Sequence, residues 1–313
     1  MKREYINIKK KIKKKIEKRH EKYLHIDKYN KRMEKSTSNI SRLELRANIT
    51  KLPKQNSNVY QYNNLIDTYI NKDKLLQEYD VCIVITTYNR EDFLHRLLNN
   101  IEANKSNYRI LIIVFDDASE NQYDISQHNI EYVRYSINHG KWHYWKLITD
   151  TMQICKYVNS KYFIYLPDDV TIDDNFFEKS IDLYESIKDE NKICLNLLMV
   201  KQQIGKTNWT NFNPIVYNEN IYQTQWCDLC FISEKKMLGE LDYKITPIPQ
   251  SRWYSKKYRA NRGNLSSGVG EDISKRLHEL KHKMYHVKKS LVFHGDHNSH
   301  MNPERRKNEK LTT

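Results

Sequence analysis

The stretch Tyr162-Phe163-Ile164-Tyr165-Leu166-Pro167-Asp168-Asp169-Val170 decides how the rest of the chain is interpreted. Its hydrophobic run ends in two adjacent carboxylates, Asp168 and Asp169. A buried strand with paired aspartates at its carboxyl end is how open α/β sheets place a divalent cation in the crevice beyond the strands. Adjacent aspartates also occur in turns and at helix N-caps, so the flanking sequence has to separate these interpretations.

Two more apolar, β-branched runs precede this stretch and predict strands buried on both faces of a parallel sheet. The run at 81–85 turns into Thr86-Thr87-Tyr88-Asn89-Arg90, and the run at 110–115 ends in Asp116-Asp117-Ala118-Ser119. The predicted order is strand 81–85, helix 91–103, strand 110–115, strand 130–135, helix 142–157 and then the strand that ends at Asp168. This order predicts a Rossmann-like half whose loops gather at one edge of the sheet.

The downstream half continues the alternation of helices and strands and contains one long loop. Residues 244–270 are rich in proline, glycine and basic residues. A loop of this length inside a compact domain is usually a lid or a binding loop. The other predicted elements are helix 173–187, strand 192–200, an irregular segment 205–226, strand 226–232, helix 233–238, a helix that opens at Gly270-Glu271-Asp272, and strand 290–293.

Cysteine usage and hydropathy indicate a reduced protein without membrane spans. The five cysteines are odd in number and mostly lie in apolar runs, which predicts buried thiols in a cytosolic protein. Cys227 and Cys230 have CxxC spacing, but no second pair follows, so a strand carrying two thiols is favoured over a zinc site. No apolar run reaches eighteen residues, and the N-terminus lacks the apolar segment of a secretory signal.

The positive charge is concentrated in an N-terminal arm. The net charge is +14, and residues 1–35 hold 15 Lys or Arg against 5 Asp or Glu. Loosely spaced isoleucines among these lysines predict a basic helix. This helix could be a solvated face, could adsorb to an anionic membrane surface, or could bind nucleic-acid phosphates. The predicted division is a basic helical arm and linker at 1–78, a main domain at 79–300 and a basic tail at 301–313.

Four motifs in one order connect the chain to a known family. The strand at 81–85 leads into Thr-Thr-Tyr-Asn-Arg, the strand at 110–115 ends in Asp-Asp-Ala-Ser, and the strand that starts at Tyr162 ends in Pro-Asp-Asp. A late Gly-Glu-Asp-Ile-Ser helix follows, and then a strand that ends in histidine. This order resembles the family 2 nucleotide-sugar glycosyltransferases over residues 80–298. The resemblance implies an α/β fold of GT-A type, with a Rossmann-like mixed sheet flanked by helices, to which the basic arm is added.

The resemblance assigns several residues to a nucleotide-sugar donor. Thr86 and Tyr88 match positions that hold the nucleotide base. Asp117 matches the carboxylate that accepts a hydrogen bond from the uracil imide. Arg90 and Lys141 follow in loops on the same edge, where cations offset the charge of a diphosphate.

The same resemblance implies a divalent metal at the carboxylate pair. Asp169 matches a ligand of Mn²⁺ or Mg²⁺, and Asp168 matches a position near the ribose or the waters of the cation. Oxygen ligands and a substrate diphosphate are what such an ion prefers. Many relatives carry an acidic residue where this chain has Pro167, which predicts a leaner metal site.

Two late segments complete the expected site. His294 matches a histidine that some GT-A enzymes use as a further metal ligand, and His297 and His300 are close enough in sequence to compete for that role. Asp272 matches the catalytic base, which deprotonates the acceptor hydroxyl in a single inverting displacement. The alternative for Glu271 and Asp272 is that both carboxylates only stabilise the start of a helix.

The function implied is a metal-dependent, inverting glycosyltransferase with a UDP-linked donor and a cell-surface polysaccharide or glycolipid acceptor. A cytoplasmic protein held at the inner face of the membrane through residues 1–35 fits this reading. Two alternatives stay open. The chain could be a phage-type enzyme that glycosylates modified DNA bases, or a non-catalytic module of the same fold that binds nucleotide sugars or nucleic acid. The sequence leaves the oligomeric state open.

Overall fold

A computed structural model describes residues 59–61, 69–105, 107–199, 213–248 and 267–294. The helices are α1 (Lys72–Leu76), α2 (Glu91–Ala103), α3 (Gly140–Cys155), α4 (Phe176–Ser186), α5 (Lys235–Glu240) and α6 (Val269–Glu279). The strands are β1 (Val59–Gln61), β2 (Tyr69–Asn71), β3 (Glu78–Thr87), β4 (Ile110–Asp116), β5 (Glu131–Arg134), β6 (Asn159–Pro167), β7 (Val170–Ile172), β8 (Lys192–Asn196), β9 (Ile215–Val216), β10 (Ile221–Thr224), β11 (Phe231–Glu234), β12 (Lys283–Val287) and β13 (Val292–His294). The predictions for 1–58, for residues 249–266 of the long loop, and for His297, His300 and 301–313 lie outside the described residues.

A large mixed sheet organises the described residues. Its strand order is β5-β4-β3-β6-β11-β8-β12-β10-β9. Strands β5, β4, β3 and β6 run parallel, and β11 runs antiparallel to both β6 and β8. Two separate antiparallel pairs, β1 with β2 and β7 with β13, complete the strands. The predicted α/β class with a mixed sheet is confirmed.

The apolar runs form strands because helices cover both faces of the sheet. Along β3, Cys82 and Val84 enter one core, whereas Val81, Ile83 and Ile85 enter the other. Helices α3, α5 and α6 pack on the first face, and α2 and α4 pack on the second. A strand buried on both faces needs apolar side chains at every position, which explains the unbroken hydrophobic runs. The carboxyl ends of β3, β4 and β6 therefore meet at one edge of the sheet.

Several element predictions are corrected. The strand predicted at 226–232 begins only at Phe231, because side chains of Asn196 and Ser274 bind the backbone of the preceding residues in place of a neighbouring strand. The strand predicted at 192–200 ends at Asn196, and the segment predicted as irregular contains β9 and β10. Strand β12 was not predicted. Part of the predicted linker forms the antiparallel pair of β1 and β2.

The predictions about thiols are confirmed. All five cysteines are free and buried. Among the described residues, none of the helices combines the length and apolar character that crossing a bilayer requires.

A buried histidine on β12 allows the packing of the fold to be tested. His286 is fully buried, and neither of its ring nitrogens has a hydrogen-bond partner among the described residues. Burial lowers its pKa from the ordinary 6.5 to about 4. The neutral imidazole is thus favoured in the folded state, and unfolding lets it take up a proton at a higher pH.

We predict that the protein loses up to about 3 kcal/mol of stability through His286 as the pH falls from about 6.5 to about 4. The variant His286→Leu removes this loss, so its free energy of unfolding should depend less on pH over this window. Urea denaturation of both proteins between pH 7 and 4 measures the difference. Parallel pH profiles would contradict a buried neutral imidazole.

Candidate active site

The carboxylate pair lies at the carboxyl end of β6, beside the end of β3. The register pairs Thr86 with Pro167, so Thr87 comes level with Asp168. The Thr87 hydroxyl donates a hydrogen bond of 2.8 Å to Asp168 Oδ2. Asp168 is 4% exposed and Asp169 is 7% exposed. The parallel pairing of two buried strands therefore positions both carboxylates at the sheet edge.

Arg90 bridges the two carboxylates. Its Nη1 lies 2.9 Å from Asp168 Oδ1 and 2.9 Å from Asp169 Oδ2. Burial raises the pKa of Asp168 to about 6, and the charge of Asp169 adds to the rise, whereas Arg90 and the Thr87 hydrogen bond oppose it. One oxygen from each carboxylate thus converges on a single cationic nitrogen.

Asp117, at the end of β4, holds the start of α3. Its Oδ1 accepts the backbone N–H of His139 at 2.8 Å and lies 2.6 Å from the ring Nδ1 of the same residue. Its Oδ2 accepts Asn138 Nδ2 at 3.2 Å and the backbone N–H of Gly140 at 3.1 Å. A carboxylate has about four lone-pair positions. A uracil imide that binds Asp117 would therefore have to replace one of these donors.

The other predicted donor-binding residues surround this edge. Thr86 Oγ1 lies 3.1 Å from the hydroxyl of Tyr144. Tyr88 is exposed just beyond the end of β3, and Lys141 lies half-buried in the first turn of α3. Sequence reasoning missed Tyr144, because one tyrosine on an amphipathic helix carries no distinguishing signal.

The pKa of the Tyr144 hydroxyl depends on the charges of several carboxylates. Burial raises the pKa of its hydroxyl, the hydrogen bond with Thr86 opposes this, and the charges of Asp168, Asp228 and Asp117 raise it further. Helix α3 is kinked at His143, immediately before this residue. The charges of carboxylates from three separate segments therefore act on this hydroxyl.

His294 reaches the carboxylate pair through the small sheet. Strand β13 pairs with β7, and the register sets His294 opposite Val170. As a result, His294 Nδ1 lies 3.5 Å from Asp169 Oδ1. The structure thus brings together the two residues that the sequence analysis assigned to the metal.

Asp272 lies in the first turn of α6 and contacts a different segment. Its Oδ2 accepts the backbone N–H of Thr246 at 3.0 Å and lies 3.6 Å from Arg276 Nη1. Arg276 also donates to the backbone carbonyls of Leu241 and Lys244. These contacts fix the Asp272 carboxylate against the segment that enters the long basic loop.

The model of the family described as "Glycosyl transferase family 2" matches residues 82–242, just over half of the chain. The chain belongs to glycosyl transferase family 2. The match spans β3 to α5 and includes Arg90, Asp117 and the carboxylate pair. The GT-A type of fold, with a mixed sheet flanked by helices, is confirmed with it.

Solved glycosyltransferase structures resemble the chain at low identity. TarS 1-349 from S. aureus in complex with UDP-GlcNAc is 14% identical, with a TM-score of 0.46, over 71% of this chain and 60% of that chain. The mannosyltransferase PcManGT from Pyrobaculum calidifontis, in complex with GDP-Man and Mn²⁺, is 11% identical, with a TM-score of 0.41, over 66% of this chain and 54% of that chain. The chain thus spans less than two thirds of either protein. No curated protein matches it.

The Arg90 bridge leads to a prediction about stability. Removing one partner of a buried ion pair costs about 3–5 kcal/mol, because the remaining charge is buried without compensation. We therefore expect Arg90→Gln to lower the free energy of unfolding by about this amount in metal-free buffer at pH 7.5. Adding Asp168→Asn should recover part of the loss, because one of the two carboxylates becomes neutral.

The control is Arg109→Gln. Arg109 lies 3.4 Å from Glu78 and 3.9 Å from Asp80, but its side chain is 59% exposed. Exposed ion pairs are worth less than about 1 kcal/mol. Equal, small losses in urea denaturation of the two arginine variants would show that the Arg90 bridge contributes nothing beyond a surface contact.

Proposed function

We propose that this member of family 2 is a metal-dependent, inverting glycosyltransferase. It moves a sugar from a UDP-linked donor to a hydroxyl of a cell-surface polysaccharide or glycolipid. The observation that carries this proposal is the convergence of one oxygen each from Asp168 and Asp169 on a single cationic point. The ends of the parallel strands β3, β4 and β6 surround that point, and open α/β sheets bind ligands at such an edge.

The carboxylate pair fits a divalent metal. Two carboxylate oxygens that converge on one cation are suitable ligands for Mn²⁺ or Mg²⁺, and His294 lies beside Asp169. The described residues contain no group of three or more His, Cys, Asp or Glu arranged to hold a metal. Asp168 and Asp169 would therefore be the main protein ligands, with His294 beside Asp169 as a further candidate, and donor oxygens would complete the set. When bound, the metal supplies Lewis-acid stabilisation of the departing diphosphate.

The remaining predicted residues hold the donor. Thr86, Tyr88 and Asp117 lie at the ends of β3 and β4, where they would contact the base. Arg90 and Lys141 carry the positive charge that a diphosphate needs at the same edge. With a metal held by Asp168 and Asp169, Arg90 would be available to bind the diphosphate.

Asp272 acts as the base in this mechanism. It takes the proton of the acceptor hydroxyl while that oxygen attacks the anomeric carbon and the bond from this carbon to the diphosphate breaks. A single displacement inverts the anomeric centre. Thr246 and Arg276 orient the carboxylate, which suits a group that has to meet an incoming hydroxyl.

The basic arm would deliver the enzyme to its acceptor. Residues 1–35 carry most of the net charge, and such a segment is attracted to the anionic inner leaflet. A cytoplasmic enzyme at that surface meets lipid-linked acceptors. This proposal includes the division into an arm and linker at 1–78, a catalytic domain at 79–300 and a tail at 301–313.

The test is a screen of nucleotide sugars for Mn²⁺-dependent release of the nucleotide by the wild type and by Asp272→Asn. We expect turnover of one UDP-sugar, reduced at least about 100-fold in Asp272→Asn because the base is lost. Donor binding, measured by thermal shift, should stay within about twofold, since Asp272 contacts Thr246 and Arg276 rather than the carboxylate pair.

Glu279→Gln is the matched control, because Glu279 ends the same helix with its side chain 64% exposed. This variant should keep wild-type turnover. Failure of every nucleotide sugar to bind in the presence of Mn²⁺ would overturn the proposed function. Full activity of Asp272→Asn would overturn only the assignment of the base.

A further inference from the structure

The loop 226–230 carries a carboxylate that the proposed mechanism does not use. The backbone N–H of Asp228 donates to Asn196 Oδ1 at 2.9 Å, and the N–H of Leu229 donates to Asp228 Oδ1 at 2.8 Å. The backbone N–H of Cys227 donates to Ser274 Oγ at 2.8 Å. The loop is therefore clamped to β8 on one side and to α6 on the other, so Asp228 has a fixed position.

The strand register brings Asp228 towards the carboxylate pair. Antiparallel β11 and β6 pair Phe231 with Tyr165. Because the two strands are antiparallel, the loop that precedes Phe231 lies towards the carboxyl end of β6, where Asp168 follows. The charges of both carboxylates raise the pKa of the Tyr144 hydroxyl, in addition to its burial. The loop that carries Asp228 thus enters β11 from the carboxyl end of β6.

Asp228 also touches the start of α6. A Cβ built on Gly270 would lie 2.9 Å from the carbonyl oxygen of Cys227 and 3.5 Å from Asp228 Oδ1. A side chain at position 270 would collide with this backbone, so the glycine allows the loop and the helix to approach. Asp228 therefore lies between the carboxylate pair and the helix turn that carries Asp272.

We propose that Asp228 accepts hydrogen bonds from hydroxyl groups of the transferred sugar. The inference rests on the proposed function: with the diphosphate at Asp168 and Asp169 and the acceptor hydroxyl at Asp272, the sugar ring lies between them. An ionised carboxylate is an acceptor only, and its negative charge disfavours phosphate. Asp228 therefore recognises the sugar and leaves the nucleotide to other residues.

The test compares UDP with UDP-sugars on the full chain. UDP, UDP-glucose, UDP-galactose and UDP-N-acetylglucosamine are titrated by calorimetry with Mn²⁺ into the wild type and into Asp228→Asn. The asparagine keeps an oxygen for the Leu229 N–H but loses the charge. We expect the affinity for UDP to stay within about twofold, and the affinity for the best UDP-sugar to fall about 10- to 100-fold, as for a lost hydrogen bond to a charged group.

Asp242→Asn is the control, because Asp242 is 73% exposed and pairs with Lys244. It should bind every ligand as the wild type does. A second variant, Asp228→Glu, keeps the charge but moves it by one methylene, and it should change the order of preference among the UDP-sugars. If Asp228→Asn does not fold, this variant tests whether Asp228 binds the sugar.

The outcomes separate the two proposals. A wild type that binds neither UDP nor any UDP-sugar would overturn the proposed function. A wild type that binds them, with Asp228→Asn weakening UDP and UDP-sugars equally or weakening neither, would overturn the role of Asp228 and leave the proposed function standing.

Discussion

The candidate site depends on the interaction of Arg90 with two adjacent buried carboxylates. Asp168 and Asp169 lie in a low-dielectric environment, where each would repel the other and lose its hydration. Burial raises the pKa of Asp168 to about 6 even with the guanidinium present. A cation at this position is therefore a condition for keeping both groups ionised at neutral pH. The arginine supplies that charge from the turn after β3, 78 residues earlier in the chain.

The sheet topology brings motifs that are separate in the sequence together at one site. Strand β3 lies between β4 and β6 in parallel, so the three loops that follow these strands meet at one edge. The antiparallel strand β11 enters beside β6 and brings Asp228 from the opposite direction. The pairing of β13 with β7 brings His294 to Asp169, although 125 positions separate them in the sequence. Each residue thus reaches the edge through a backbone pairing and not through its neighbours in sequence.

The elements that the sequence predicts correctly are those in which complete burial requires an unbroken or regularly spaced apolar pattern. Strands β3, β4 and β6 are apolar at successive positions because both faces are covered, and helix α2 was predicted with its observed ends. Strands β9 and β10 are short and partly polar, so their pattern resembles a loop. The sequence predicts a strand over 226–232, but residues 226–230 form a loop in which Cys227 and Cys230 are buried. They are buried by contacts with β8 and α6, which no local pattern reveals. The Arg90 bridge and the four donors to Asp117 are likewise long-range contacts that a one-dimensional pattern cannot contain.

The concentration of carboxylates at this edge has no explanation in stability alone. A buried ion pair rarely stabilises a fold more than apolar side chains of the same volume would, since the cost of desolvation offsets the attraction. Asp117, Asp168 and Asp169 are nevertheless buried together, and each has donors or a cation arranged around it. Buried carboxylates with a perturbed pKa, gathered at the edge of a sheet, are the pattern expected of a functional site. The negative charges are compensated by nearby side chains and by backbone amides at the start of α3, all of which a ligand could displace. This arrangement is expected of a site that exchanges internal partners for a substrate.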